Sequence, residues 1–183
     1  MAQRALKMSE RVARTLRDLA AKMGGGSVEI GFMEGAVYGD GTPVASVAFW
    51  NEFGHEGQFP SPPRPFFRTM IAKESPSWPA KMAALLKSTG FDGPRVLTIM
   101  GDDISHALED SIEALTQPEL SAVTLMLRKR FGNQPHNIRL GDVFSAINAV
   151  KGGKKGAAAD STQGKPLVWT GHMLNSVTFK VMR

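Results

Sequence analysis

Only two stretches of this chain alternate clearly with a period of two, and they lie near its opposite ends. "SVEIGFM" (27–33) sets Val28, Ile30 and Phe32 against Ser27, Glu29 and Gly31. "SVTFKVM" (176–182) does the same with Val177, Phe179 and Val181. Successive side chains of a strand point to opposite faces, so this pattern marks a half-buried strand. "PLVW" (166–169) is a third, shorter strand candidate. Most other periodic segments repeat at three and four residues, the spacing of a helix face. The fold class is therefore α+β, with a small mixed or antiparallel sheet among helices.

The first helix spans about 4–23, where Ala5, Met8, Val12, Leu16, Leu19 and Met23 form a narrow apolar stripe. Arg4, Lys7, Arg11, Arg14, Arg17 and Lys22 take the other side, a pattern typical of a solvated face. Three glycines at 24–26 stop it. This long N-terminal helix is expected to pack on the sheet. Pro43 opens a short helix ended by Gly54, Pro65 opens another, and "SPSWPAKMAALLKSTG" holds a further one closed by Gly90. Leu97, Met100, Ile104, Leu108, Ile112 and Leu115 then keep helical spacing, and "QPELSAVTLMLRKRFG" follows after a short connection at 116–118. These two helices are expected to form an antiparallel hairpin. "VFSAINAV" (143–150) is too short to classify. Residues 151–165, rich in Gly, Ala, Lys and Ser, read as a flexible loop. Residues 1–183 thus form one domain, with 75–150 a mainly helical insertion.

Hydrophobic residues make up 42% and charged residues 21%, enough apolar surface for a core. The net charge of +5 permits an acidic partner without specifying one. There is no cysteine, which excludes disulfides, thiolate metal sites and cysteine nucleophiles. No apolar run approaches the roughly 20 residues that cross a bilayer, and the basic, amphipathic N-terminus lacks the apolar segment of a secretory signal.

Catalytic patterns are missing where they are looked for. His55, His106, His136 and His172 make no H-x-x-x-H or H-E-x-x-H pair. "QGKP" has the Gly-Lys of a phosphate loop but Pro166 where Ser or Thr must bind magnesium. "GGGSVE" precedes its strand, the reverse of a dinucleotide fingerprint, and no G-x-S-x-G elbow occurs. His55 with Glu52 or Glu56 is the nearest approach to an acid/base cluster. No catalytic residue, cofactor or metal is assigned.

"AFWNEFGHEGQFPSPPRPFFR" (48–68) instead looks like a stiff corner. Arg64 stands between Pro63 and Pro65, which restrict the backbone on both sides. Such an arginine is aimed at little ordering cost, and Glu52 is the expected bidentate partner, pinning the corner to the preceding helix.

These residues also carry a resemblance. Asn51, Glu52, Phe53 and Gly54, then Pro63, Arg64, Pro65, Phe66 and Phe67, then Pro166, Leu167, Thr170, Gly171, Leu174, Ser176 and Val177 form three ordered motifs. The set resembles the neck and tail-completion proteins of tailed bacteriophages and prophages. The resemblance implies a small α+β domain, a long helix on a mixed sheet, acting without catalysis as a head–tail joining or minor tail part of the virion. It implies connector and tail-tube proteins as partners and a homo-oligomeric ring in the particle, with a monomer in solution compatible with that. It also implies passage of DNA through the ring's channel, no membrane partner, and assembly in the host cytoplasm. The helical residues 75–150 exceed the minimal pattern. The competing reading is a basic nucleic-acid-binding protein, and a third is a hydrolase built on His55.

Overall fold

The two alternating stretches pair with each other. In this computed structural model, which describes residues 2–132, 134–156 and 164–182 (the backbone alone for 2–11), β1 (Ser27–Phe32) and β2 (Val177–Met182) form an antiparallel ribbon. The register sets Val28 opposite Val181, Ile30 opposite Phe179 and Phe32 opposite Val177. Directly opposed residues share a face, so the apolar halves of both strands turn the same way. A two-stranded ribbon is marginal by itself and needs a packed face. The fold class is α+β, and the chain meets that need with a helix.

The covering helix is not the N-terminal one. α1 (Ala2–Met23) touches the start of α5 (Gly93–Ala114), and α5 lies along both strands. The reason is visible in the side chains. Val12 and Leu16 of α1 are more than half exposed, at 53% and 60%. α5 instead buries Val96, Met100, Ile104, Leu108 and Ile112 in one continuous stripe, headed by Val96 where Leu97 was expected. Gly101 brings the helix down onto the sheet, since a Cβ there would sit 2.4 Å from the Phe179 ring. Gly93 does the same for the α1–α5 contact, where the Met23 carbonyl occupies the space a Cβ would need. Asp92 caps α5 by accepting from the Arg95 amide.

The remaining helices finish the core. α2 (Val44–Phe53) contributes Val44 and Ala48, and α3 (Phe66–Glu74) contributes Phe66 and Met70. The Ser111 hydroxyl donates to the Phe66 carbonyl at 2.7 Å, tying α3 to α5. A short 3-10 turn (Ser75–Ser77) leads into α4 (Trp78–Ser88), which also leans on α5. α6 (Ala122–Phe131), capped by the Ser121 hydroxyl, packs against α7 (Leu140–Lys151). The expected hairpin of α5 with α6 is thus not formed. Leu115 and Ser121 bracket the connection in extended conformations, so the chain leaves α5 without folding straight back along it. The unclassified 143–150 segment belongs to α7.

"PLVW" is not a strand. At its start the Arg128 guanidinium donates to the Lys165 and Pro166 carbonyls at 2.7 and 2.9 Å. Leu167 and Met173 drop into the core, and Trp169 Nε1 donates to the Gly132 carbonyl at 2.6 Å. Of the expected flexible loop 151–165, Lys151 still belongs to α7, and 157–163 lie outside the described residues. None of the described helices is long and apolar enough to cross a membrane.

Candidate functional site: a helix with two working faces

The first two motifs meet around α2, though not through the expected pair. Glu52, 5% exposed, turns inward at the end of α2. Its Oε2 accepts from the Phe67 amide at 2.9 Å, and its Oε1 accepts from the Arg68 amide at 3.2 Å and from Arg68 Nε at 2.7 Å. α3 begins after Pro65, which offers no side-chain cap. Glu52 supplies that cap from outside the helix, placing a carboxylate on the amide groups that a helix start leaves unbonded. Arg68 then returns to the Glu52 carbonyl and lies over the Phe53 ring, 4.8 Å from its centroid.

Arg64 points elsewhere. Its amide donates to the Asn51 carbonyl at 2.7 Å, so the corner is pinned by backbone. The guanidinium is buried, the residue only 6% exposed, and Nε has no hydrogen-bond partner. Among the described residues no carboxylate pairs with it. Burial alone lowers its pKa below the ordinary arginine value. Arg68 carries no sequence signal for this role, because it lies inside a helix and its spacing to Glu52 follows no pattern.

Gly54 explains how the corner turns. Its φ of 82° is in the glycine-favoured region, and a Cβ would lie 3.0 Å from both the Pro63 nitrogen and the Ser61 carbonyl oxygen. Reciprocal hydrogen bonds between His55 and Ser61 close the loop. Glu52 is engaged with α3, while the His55 ring lies beside that of Trp50. The described residues contain no cluster of His, Asp and Glu suited to a metal.

The third motif docks on the far side of α2. Gly171, at φ 72°, turns the chain, and the Thr170 hydroxyl accepts from the His172 amide at 3.3 Å. His172 Nε2 lies 2.9 Å from the Val37 carbonyl, and its ring stacks obliquely on Tyr38. Leu174 packs against the core edge. Asn51 of the first motif and Thr170 and Gly171 of the third therefore line one cleft of about 680 Å³, together with Trp50, Arg128 and Trp169. Glu52, Phe53, Phe66 and Phe67 line a separate, apolar groove of about 300 Å³ on the opposite face of α2.

Arg128 is the residue of this region that the sequence concealed. It stands in "RKRF", which reads as a solvated basic helix end, yet it is 4% exposed. Its guanidinium lies over the Trp169 ring at 5.1 Å while it holds the 165–166 backbone. Burial, with the Arg64 charge next, lowers its pKa to about 10. Around the corner the surface is aromatic: Phe49, Trp50 and Phe53 are 59%, 46% and 52% exposed.

No family model, no curated protein and no solved structure matches the chain.

Proposed function

We propose that the chain is a non-catalytic structural protein of a tailed-phage or prophage virion, acting at the head–tail junction or tail end as a neck, tail-completion or tail-terminator subunit. The motif resemblance supplies the family. The observation that carries the non-catalytic part is the employment of Glu52, the one buried carboxylate of the opening motif. Its oxygens are engaged by two helix amides and Arg68, which leaves it unsuited to proton transfer with His55. The exposed rings of Phe49, Trp50 and Phe53 beside this fixed corner are the chemistry of a docking surface: aromatic area presented on a rigid support. Connector and tail-tube proteins are the partners this reading assigns, with a ring of copies in the particle.

Particles assembled without this gene product test the reading. Filled heads and tails that fail to join, or tails of uncontrolled length, are the expected outcome. Normal infectious particles would overturn it.

Nucleic-acid binding is the second reading, favoured by the exposed Arg14, Arg17 and Lys22 of α1. Duplex binding that weakens steeply with salt would support it, and no binding at low salt would remove it.

A further inference from the structure

α1 is a long helix whose apolar stripe its own chain leaves open. The Met23 carbonyl fills the space beside Gly93, which attaches the C-terminal end of α1 to the start of α5. Val12, Leu16 and Met23 are nevertheless 53%, 60% and 40% exposed. A helix in a protein gains most of its stability from packing such a stripe, so this one is built to be covered. A second α1 is a poor cover. The helix holds six basic residues against two acidic ones, and like charges would meet along the seam.

The complementary surface lies on α5. That helix carries Asp102, Asp103, Glu109, Asp110 and Glu113 against Arg95 alone. With α3 and α4 it borders a groove of about 570 Å³. Pro65, Ala107, Ala114 and Leu115 give this groove apolar surface, and Glu74, Asp103 and Asp110 stand along it. Lys73 and Lys81 are there too, but each pairs with a carboxylate of the groove, Glu74 at 3.2 Å and Asp103 at 2.9 Å. Asp110 is exposed and makes no ion pair among the described residues.

We propose that α1 of one copy docks its apolar stripe in the α3–α4–α5 groove of a second copy, with its cations facing the α5 carboxylates. The same chain does not fill its own groove. Asp110 lies about 25 Å along α5 from Gly93, where α1 is attached, and Val12 and Leu16 stay exposed. Nucleic acid would satisfy the cations but leave the stripe in water, so the stripe favours a protein groove. Because two different surfaces meet, copies join head to tail, and the contact closes into a ring or runs on as an open chain. The ring rests on the assembly role proposed above; the pairing of copies rests on stripe, groove and charge alone.

Sedimentation of the full chain at up to about 1 mM and low salt reads this contact, a range that captures weak association. The wild type should form dimers and larger species that dissociate as salt is raised. Leu16→Glu, on the stripe, and Asp110→Lys, at the groove, replace exposed residues and should each associate at least about tenfold more weakly while keeping the wild-type circular dichroism. Mixed one to one, they should give a dimer that grows no further, because each supplies the surface the other lacks. Pairing of α1 with α1 would instead leave Asp110→Lys fully associated, and that result overturns the proposal. So does a monomeric wild type, or a mixture that stays monomeric. A DNA duplex that binds wild type and Leu16→Glu alike, with no self-association of either, gives α1 to nucleic acid. Head-to-tail association in a chain that particles do not require would refute the assembly role and keep the contact; a monomeric chain still required to join heads to tails would do the reverse.

Discussion

Glu52 Oε1 accepts from Arg68 Nε across 2.7 Å, but the two residues are unequal partners. The Arg68 side chain is 56% exposed and that of Glu52 only 6%. Solvent screens the ion pair from the arginine side. The carboxylate's larger task is to cap α3 through the Phe67 and Arg68 amides.

Glu52→Ala should therefore destabilise the fold by about 2–3 kcal/mol, the loss of a cap plus buried amides left unbonded. Arg68→Ala should cost under about 1 kcal/mol, as for other half-exposed pairs. Urea unfolding of the two variants measures the difference. Equal losses would show that the ion pair, and not the cap, holds the corner.

Gly101→Ala pits two effects against each other. Alanine is favoured over glycine inside a helix by about 1 kcal/mol. Against this, the new methyl would fall 2.4 Å from the Phe179 ring, which must move or lift α5 off the sheet. Overpacking of this kind costs about 1–3 kcal/mol, so net destabilisation is expected by thermal unfolding. Phe179→Leu should relieve part of it in the double variant, giving a non-zero coupling in a mutant cycle.

Asp40 sets the expected acid response of the 37–43 turn. The Thr42 backbone amide, then the Thr42 hydroxyl, hold its carboxyl below the usual aspartate range. A depressed folded value means that the contribution is complete above the unfolded value of about 3.9 and fades as the pH falls through the lower folded one. Asp40→Asn should flatten the pH dependence of unfolding in that acid window only. A change between pH 6 and 8 would contradict the assignment.

The sequence made the local elements legible and their partners less so. The two alternating strands, the helix started by Pro65 and the turn at Gly171 announce themselves through period, proline and glycine, which act on the residues beside them. What packs on what depends on surfaces distant in the chain. α1 and α5 both showed an apolar stripe, and only the extra width of α5, with Gly101 at its centre, decides which one covers the sheet. Glu52 reads as a pinned acid, but the prolines around Arg64 single out the wrong arginine as its partner. The bend sends Arg64 inward, beside Arg128, and leaves Arg68 within reach. The burial of Arg128 had no sequence signal, because its neighbours Lys129 and Arg130 are exposed.

The aromatic face of α2 separates what the fold needs from what the proposed assembly role would use. Phe49 and Phe53 stack on each other at 4.7 Å between ring centroids while remaining 59% and 52% exposed. The fold gains little from them in this state, since exposed side chains away from caps and cores usually change stability by less than about 0.5 kcal/mol when replaced. Docked aromatics are a different matter, because central rings of an interface contribute about 2 kcal/mol or more each. Phe49→Glu should thus leave the melting temperature nearly unchanged and, if the proposed virion role holds, abolish incorporation of the chain into particles, read by immunoblotting purified virions. Phe49 is the cleaner probe, because Phe53 also carries the Arg68 guanidinium. Wild-type incorporation of a folded Phe49→Glu chain would remove this face from the assembly surface.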